Sequence, residues 1–176
     1  ILKESIRSDV GAYFPLLIGK PISQERLLKP NSPDRSIAGS DRASIVTVKD
    51  DQVALIRRRV NFGTPYWVLP GGKMRTGERA YDAAVRECEE QVTVKANIEK
   101  RFGTYSFQGH RHTVYLSTEI QGELALGNKL AKQDAPDNTY GVEWVPLQDI
   151  PKLRVLPEEI WYDLNDLSDQ DSVALH

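Results

Sequence analysis

Two runs rich in β-branched residues, Ser44 to Val48 and Val53 to Arg59, flank the polar tetrapeptide Lys49-Asp50-Asp51-Gln52. That pattern predicts a β-hairpin. Tyr66-Trp67-Val68-Leu69 predicts a third, short strand, after which Pro70-Gly71-Gly72 predicts a loop. Between Arg79 and Gln91 there is no Gly or Pro, and Tyr81, Ala84, Val85 and Cys88 recur every three to four residues. One apolar helical stripe is expected there. Further strand-like runs lie around Val92 to Ile98, Phe102 to Phe107, His112 to Ile120 and Gly141 to Val145. The segment from Pro157 to Leu164 predicts a last helix, with proline at its first turn and early acids that suit the helix dipole. Mostly strands with two separated helices argue for a layered α/β domain.

Residues 1–41 differ in character. They hold four of the ten prolines, and Lys29 to Asp41 is rich in Pro, Ser and Asp without a sustained apolar period. An N-terminal arm and linker over 1–41, followed by a folded domain over 42–176, is the expected division. Tyr13, Phe14, Leu16, Leu17 and Ile18 are expected to pack the arm onto the domain, a homodimer contact being the alternative. The first residues mix Lys3, Glu4, Arg7 and Asp9 with apolar ones, unlike a secretory leader, and the opening Ile1 is consistent with residues preceding it.

Composition narrows the function. With 176 residues, 23 Lys plus Arg against 25 Asp plus Glu, and a net charge of -2, no basic excess exists to track a nucleic-acid backbone. No apolar run approaches the roughly 20 residues needed to span a bilayer, so no membrane association is expected. The lone Cys88 cannot form an internal disulfide, and a reducing cytoplasm is the simplest setting. On the apolar stripe, Cys88 is expected to be a buried small hydrophobe.

The same helix has a second face. Glu87, Glu90 and Gln91 stand at i, i+3 and i+4, so two carboxylates and an amide project from one surface. Close carboxylates repel, and a hard cation with a preference for oxygen ligands would relieve that. Alone, such a face is as well explained by solvation.

The spacing to the preceding loop adds weight: Gly72, five residues, Glu78, seven residues, Arg86-Glu87-Cys88, one residue, Glu90, and then the aliphatic Val94. This pattern resembles the Nudix box of the Nudix hydrolase family, and Trp67 to Gly71 resembles its usual lead-in. At about 7% usage per residue type, five fixed identities would coincide by chance in such a chain on the order of a few times in ten thousand. The box covers Gly72 to Val94, and the wider likeness runs roughly from Ala43 to Leu164. The resemblance implies a Nudix-type α/β/α sandwich with a central mixed β-sheet.

It also implies a metal-dependent pyrophosphohydrolase, acting on a nucleoside diphosphate linked to another moiety. A pyrophosphate link is anionic and repels water, so its hydrolysis needs cations on its oxygens and a base to orient the nucleophile. Carried over residue by residue, Glu87, Glu90 and the Gly71 carbonyl would hold Mg²⁺ or Mn²⁺, with Gln91 as a weakened ligand. Arg86 would orient Glu87, and Glu78 would support the loop or a water of the site. Lys73, beside the glycines, would meet a phosphate; Gly72 and Trp67 complete the expected substrate contacts, and Trp67, like Trp144, is read as core or pocket wall before a base-stacking platform. Glu119, Glu123 and Glu143 are the candidate general bases outside the box.

Two positions depart from the family pattern. Gln91 stands where the family usually has the second glutamate of a Glu-Glu pair, and Thr93 where it has a closing glycine. A β-branched residue in the left-handed conformation costs about 1 to 2 kcal/mol, so a differently built helix end is expected. These departures leave a rival reading, a non-catalytic Nudix-like domain that senses a nucleotide or phosphosugar, and a weaker one, a Nudix-fold isomerase. The proline or tyrosine that family motifs for ADP-ribose or dinucleoside polyphosphate substrates place near Gln108 to His110 is absent, as is a coenzyme A signature upstream. His110 and His112, two residues apart, fall short of a closed metal site.

Overall fold

The computed structural model describes residues 41–107 and 109–173, the side chains of Phe107 and of residues 168–173 excepted. The expected arm, with its patch from Tyr13 to Ile18, lies outside the described residues apart from Asp41. Among the described residues no helix is long and apolar enough to cross a membrane.

The hairpin forms as the pattern predicts, from β1 (Arg42–Lys49) and β2 (Gln52–Val60). Asp50 and Asp51 both take the left-handed conformation, at φ 51° and 56°, as a two-residue turn matched to strand twist requires. Beyond the turn the strands diverge. Only Val48 with Val53 and Lys49 with Gln52 pair, while β3 (Tyr66–Val68) attaches to β2 and β4 (Gly71–Lys73) to β1. The glycines after Pro70 thus continue as a strand where a loop was expected. Gly71 lies where a side chain would meet Ser44 and the Ala43 carbonyl of β1 at 2.0 to 2.6 Å, so only glycine allows this pairing.

The outer strands complete a mixed seven-stranded sheet. β7 (His110–Ser117) runs parallel to β1, β6 (Lys100–Phe107) antiparallel to β7, and β9 (Asn138–Pro146) antiparallel along the whole of β2. β5 (Lys95–Asn97) and β8 (Glu119–Gln121) form a separate pair. Alternation divides the core: Ala43, Ile45, Ile56 and Tyr115 face α1 (Ala80–Val92), whereas Val46, Val53, Leu55, Val114 and Leu116 face α3 (Glu158–Val173) with Ile160 and Leu164. A 3₁₀ segment, Leu147–Lys152, links β9 toward α3, and a one-turn helix, α2 (Asn128–Ala131), docks at the end of α1. Neither was legible in the pattern. The α/β/α sandwich with a mixed central sheet is the architecture expected.

The stripe on α1 is rotated from its expected place. Its buried face is Ala80, Ala83, Ala84, Cys88 and Val92, together with Glu87 and Gln91. Tyr81 is 40% exposed, edge-on to Tyr115 with ring centroids 5.9 Å apart, and Val85 is half-buried. Alanines bring the helix backbone close to the sheet, so the smallest residues face inward and tyrosine lies at the margin. Cys88 is fully buried, and burial pushes its thiol up to about 12.

The helix end also differs from expectation. Thr93 keeps the left-handed conformation, φ 62° and ψ 8°, and its N–H donates to the Glu89 carbonyl. Its Oγ1 lies 2.7 Å from the carbonyl oxygens of Val92 and Glu123. Bonding available to threonine and not to glycine thereby offsets part of the strain.

Candidate active site

At the open end of the diverging strands lies a cleft of about 1440 Å³. Its wall combines β4, the charged face of α1, α2 and the exposed ends of β2, β3 and β9. Glu87 forms part of its floor. The carboxylate is 2% exposed and sits against Gly72, where an added Cβ would lie 2.5 to 2.6 Å from its carboxyl atoms.

Three donors hold that buried charge. Arg86 Nη1 donates to Glu87 Oε1 at 2.8 Å, while Gln91 Nε2 at 3.0 Å and Lys129 Nζ at 2.5 Å donate to Oε2. A buried carboxylate needs such partners, because desolvation otherwise removes the charge. Glu90, 36% exposed, accepts at Oε2 from Arg86 Nη1 and Lys129 Nζ, both at 3.2 Å. The two acids therefore converge, as the i, i+3 spacing predicts.

Arg86 joins helix to loop. Its Nε and Nη2 bind Glu78 Oε1 and Oε2 at 2.8 and 2.9 Å, a bidentate pair that fixes a plane. Glu78 also accepts the Arg75 N–H at 2.7 Å, closing the turn before α1. Hydrogen bonding from Arg86 holds the Glu78 carboxyl below the usual carboxylate range, and Glu78, then Glu87, hold the Arg86 guanidinium above its own.

Gln91, expected from sequence as a weakened ligand, is engaged by the β4 backbone. Its Oε1 accepts the Gly71 N–H at 3.0 Å, and its Nε2 donates to the Gly71 carbonyl at 2.8 Å and to Glu87. The orientation follows from this network, since the reverse would oppose oxygen to oxygen and N–H to N–H. The amide clamps the β4 backbone to the helix, and its oxygen faces the Gly71 N–H. Trp67, read from sequence as core or pocket wall as well as a substrate contact, takes the core side. Its indole packs in the core on the α3 side and donates to Glu143 Oε1 at 2.5 Å, whereas its neighbours Tyr66 and Val68 line the cleft.

Lys73 and Gly72 line the cleft. The three acids considered as outside bases do not. Glu143 binds Trp67, Glu119 accepts from Asn97 Nδ2 at 2.8 Å, and Glu123 meets Thr93 through its carbonyl. The acids lining the cleft are Glu87, Glu89 and Glu90, against seven cations: Arg42, Arg58, Lys73, Arg75, Arg86, Lys129 and Lys132. That excess suits a polyanionic ligand.

His112, noted from sequence only for its spacing to His110, lines the cleft, and Ser44, Arg58 and Tyr140 join it there without having been marked in the sequence. His112 is buried beside Ser44, its Nε2 2.7 Å from Ser44 Oγ, and Nδ1 has no hydrogen-bond partner. Burial, followed by the Arg42 charge, pulls its imidazole down to about 4, so it is neutral near pH 7. His110, two residues away, is exposed. Arg58 stacks over Tyr140 at 5.3 Å and bonds Asn138 Oδ1. No local pattern marked Arg58 and Tyr140 or joined them to His112, because each reaches the cleft from a different strand.

Oxygen chemistry at the floor fits a hard cation. Among the described residues no cluster of three His, Cys, Asp or Glu side chains gathers, but Glu87 and Glu90 converge on Arg86 and Lys129, and the Gly71 carbonyl accepts from the Gln91 amide that also binds Glu87. Mg²⁺ is commonly held by one or two carboxylates together with substrate phosphates. The Gly72 backbone leaves just the room that the Glu87 carboxylate fills.

Known proteins resemble this chain in sequence and in fold. The family model described as NUDIX domain matches residues 40–168. A predicted 8-oxo-dGTP diphosphatase of Bacillus subtilis is 32% identical over 114 residues, covering 63% of this chain and 68% of that protein. An ADP-ribose pyrophosphatase of Methanocaldococcus jannaschii is 31% identical over 121 residues, 65% of this chain and 66% of the relative. The chain thus spans about two thirds of the length of these relatives. Among solved structures, the MutT NUDIX hydrolase of Burkholderia pseudomallei superposes with a TM-score of 0.57 at 23% identity, covering 72% of this chain and 95% of that one.

Proposed function

Since this chain belongs to the NUDIX family and is a hydrolase of phosphoanhydride bonds, we propose that its cleft cleaves the diphosphate of a nucleoside diphosphate linked to a further group. Glu87, Glu90 and the Gly71 carbonyl would hold the divalent cation, Mg²⁺ or Mn²⁺. The cation, when bound, neutralises charge on the phosphate oxygens and polarises the phosphorus. The observation that carries the reading is the buried Glu87 carboxylate converging with Glu90 on the floor of a cleft whose other charges are mostly cationic.

Each residue of the chain has a task that follows from its contacts. Lys73, Arg75 and Arg42 line the wall against which the diphosphate would lie. Arg86 and Glu78 act by positioning: their bidentate pair fixes the loop, and the remaining Arg86 N–H groups orient Glu87 and Glu90. Glu90 is the acid suited to take a proton from the attacking water. Its Oε1 has no nearer charge partner among the described residues than Arg75 at 3.7 Å, whereas both oxygens of Glu87 accept short hydrogen bonds. Water attacks one phosphorus, the bridging P–O bond breaks, and its electron pair stays on the departing phosphate oxygen. The products are a nucleoside monophosphate and the phosphorylated remainder. Tyr66 and Tyr140 offer the base an aromatic wall, and Ile56 and Val68 an apolar floor.

The names of the two relatives supply the first substrates to test, 8-oxo-dGTP and ADP-ribose. A panel of these with other nucleoside diphosphate derivatives, run with Mg²⁺ and with Mn²⁺ and scored by product, tests the proposal. Turnover with release of a nucleoside monophosphate, lowered at least about 100-fold by Glu87→Gln, is expected. Turnover retained within threefold in Glu87→Gln would refute the assigned centre. Nucleotide binding without hydrolysis across the panel would favour the sensor.

A further inference from the structure

The contact that the family pattern does not explain is Lys129. Its ammonium bridges the two acids of the floor, 2.5 Å from Glu87 Oε2 and 3.2 Å from Glu90 Oε2. We propose that Lys129 is a built-in counter-cation of the site, seated between Glu87 and Glu90 until a divalent ion displaces it, and then free to pair with the phosphate oxygens of the nucleotide. This rests on the metal-dependent reading of the same cleft.

Tertiary packing fixes the lysine where it is. Gly127, immediately before α2, presses on the end of α1: its N–H donates to the Gln91 carbonyl at 2.7 Å, and a Cβ there would lie 2.3 Å from the Glu90 carbonyl oxygen. Leu130, immediately after Lys129, is buried in the α1-side core. Lys129 is therefore held on both sides, and its side chain, 36% exposed, reaches over the acids from the rim. Such a pair differs from an ordinary surface ion pair because one partner, Glu87, is 2% exposed and must be neutralised.

Competition follows from the oxygens used. A cation held by Glu87 and Glu90 draws on the carboxylate oxygens that Lys129 now occupies, and an ammonium ion does not remain in place beside a divalent charge. Arg86 holds Glu87 Oε1 at 2.8 Å and Glu90 Oε2 at the longer 3.2 Å, and the neutral Gln91 amide shares Glu87 Oε2, so Lys129 is the charged partner that a second cation between the two acids would meet. The displaced ammonium needs a new anion. Its four-carbon stem is flexible, and phosphate oxygens in the cleft are the nearest anions that arrive together with the metal.

Two binding measurements on the full chain test this without turnover. Mn²⁺ alone is titrated and the free ion followed by electron paramagnetic resonance, for the parent, Lys129→Met and Lys132→Met. ADP is then titrated calorimetrically at saturating Mn²⁺. Lys129→Met should bind Mn²⁺ roughly tenfold tighter, the effect of removing one charge-assisted competitor, and ADP roughly tenfold more weakly. Lys132→Met removes the same charge from the same cleft and should change Mn²⁺ affinity less than about twofold, since charges without direct contact are screened. A lysine that merely supports the fold predicts the opposite sign, weaker Mn²⁺ binding in Lys129→Met, and that result overturns the proposal.

Equal Mn²⁺ affinity in the parent and Lys129→Met, or equal gains in both variants, also overturns it while leaving the metal-dependent reading intact. Tighter Mn²⁺ with unchanged ADP affinity supports the counter-cation and overturns the transfer to phosphate. No Mn²⁺ bound by any of the three chains overturns the metal reading and this proposal together. Should Lys129→Met fail to fold, Lys129→Gln, which keeps a polar end near Glu87, serves the same titrations with the same expected signs.

Discussion

Replacing Gly72 by alanine is the sharpest test of how the floor of the cleft is built. Gly72 is not among the glycines with positive φ, so alanine adopts its backbone without strain and the perturbation is one methyl group. That methyl would stand 2.5 Å from Glu87 Cδ and 2.6 Å from each carboxylate oxygen. Ordinary contact begins at 3.4 Å, so the carboxyl group must retreat by about 0.9 Å. It is not free to do so. Arg86, Gln91 and Lys129 hold it at 2.5 to 3.0 Å, and a shift of this size stretches or breaks at least one of those bonds. Displacing a reacting or charge-holding group by about 1 Å can cost on the order of 100-fold in rate, or about 2.7 kcal/mol in the transition state. Steady-state kinetics on whichever substrate turns over, beside thermal unfolding of the same preparations, separates lost geometry from lost fold. The expected result is a loss of about two orders of magnitude in kcat with the folded state retained near room temperature. A rate within threefold of the parent would show that the carboxylate relaxes freely or that its position is immaterial, and would refute the argument.

Other consequences can be measured independently. Gln91→Glu sets a carboxylate oxygen against the Gly71 carbonyl and Glu87 Oε2 where Nε2 now donates. Urea unfolding should show about 1 to 3 kcal/mol lost without divalent ions, with partial recovery in Mn²⁺; unchanged stability in both conditions would sink that account. His112 carries a proton in the unfolded chain below about 6.5 and in the folded one only below about 4. The unfolded state therefore binds more protons between these values, and stability present above pH 6.5 falls as the pH drops through the window, by about 3 kcal/mol from this residue. His112→Asn should flatten that part of the pH-stability curve, and an identical slope in the two proteins would contradict it. Cys88 should stay inert to a thiol reagent at pH 8 until the chain is denatured, because burial suppresses its thiolate; prompt labelling of native protein would place it elsewhere.

What could be read without the structure was local. The hairpin follows from two β-branched runs around a turn whose residues tolerate the left-handed region. The helix follows from an uninterrupted segment, and the meeting of Glu87 with Glu90 from helical spacing alone. Each is decided within a few residues of chain, where backbone geometry leaves little choice. The face that α1 buries needed the sheet: the small side chains of Ala80 and Ala83 permit a close approach that Tyr81 does not, and this turns the helix away from the pattern counted on paper. Trp67 followed strand parity, since a step of one residue along β3 exchanges cleft for core, and pairing with β2 set that phase. Gln91 changed meaning, and Lys129 acquired one, for a related reason. Their partners lie 20 and 42 residues away, and a hydrogen bond across such a separation exists only after the chain has closed on itself. Spacing along a helix is a property of the backbone, whereas the choice between a metal ion, an amide and an ammonium on one carboxylate depends on which other segments the packed core brings to it.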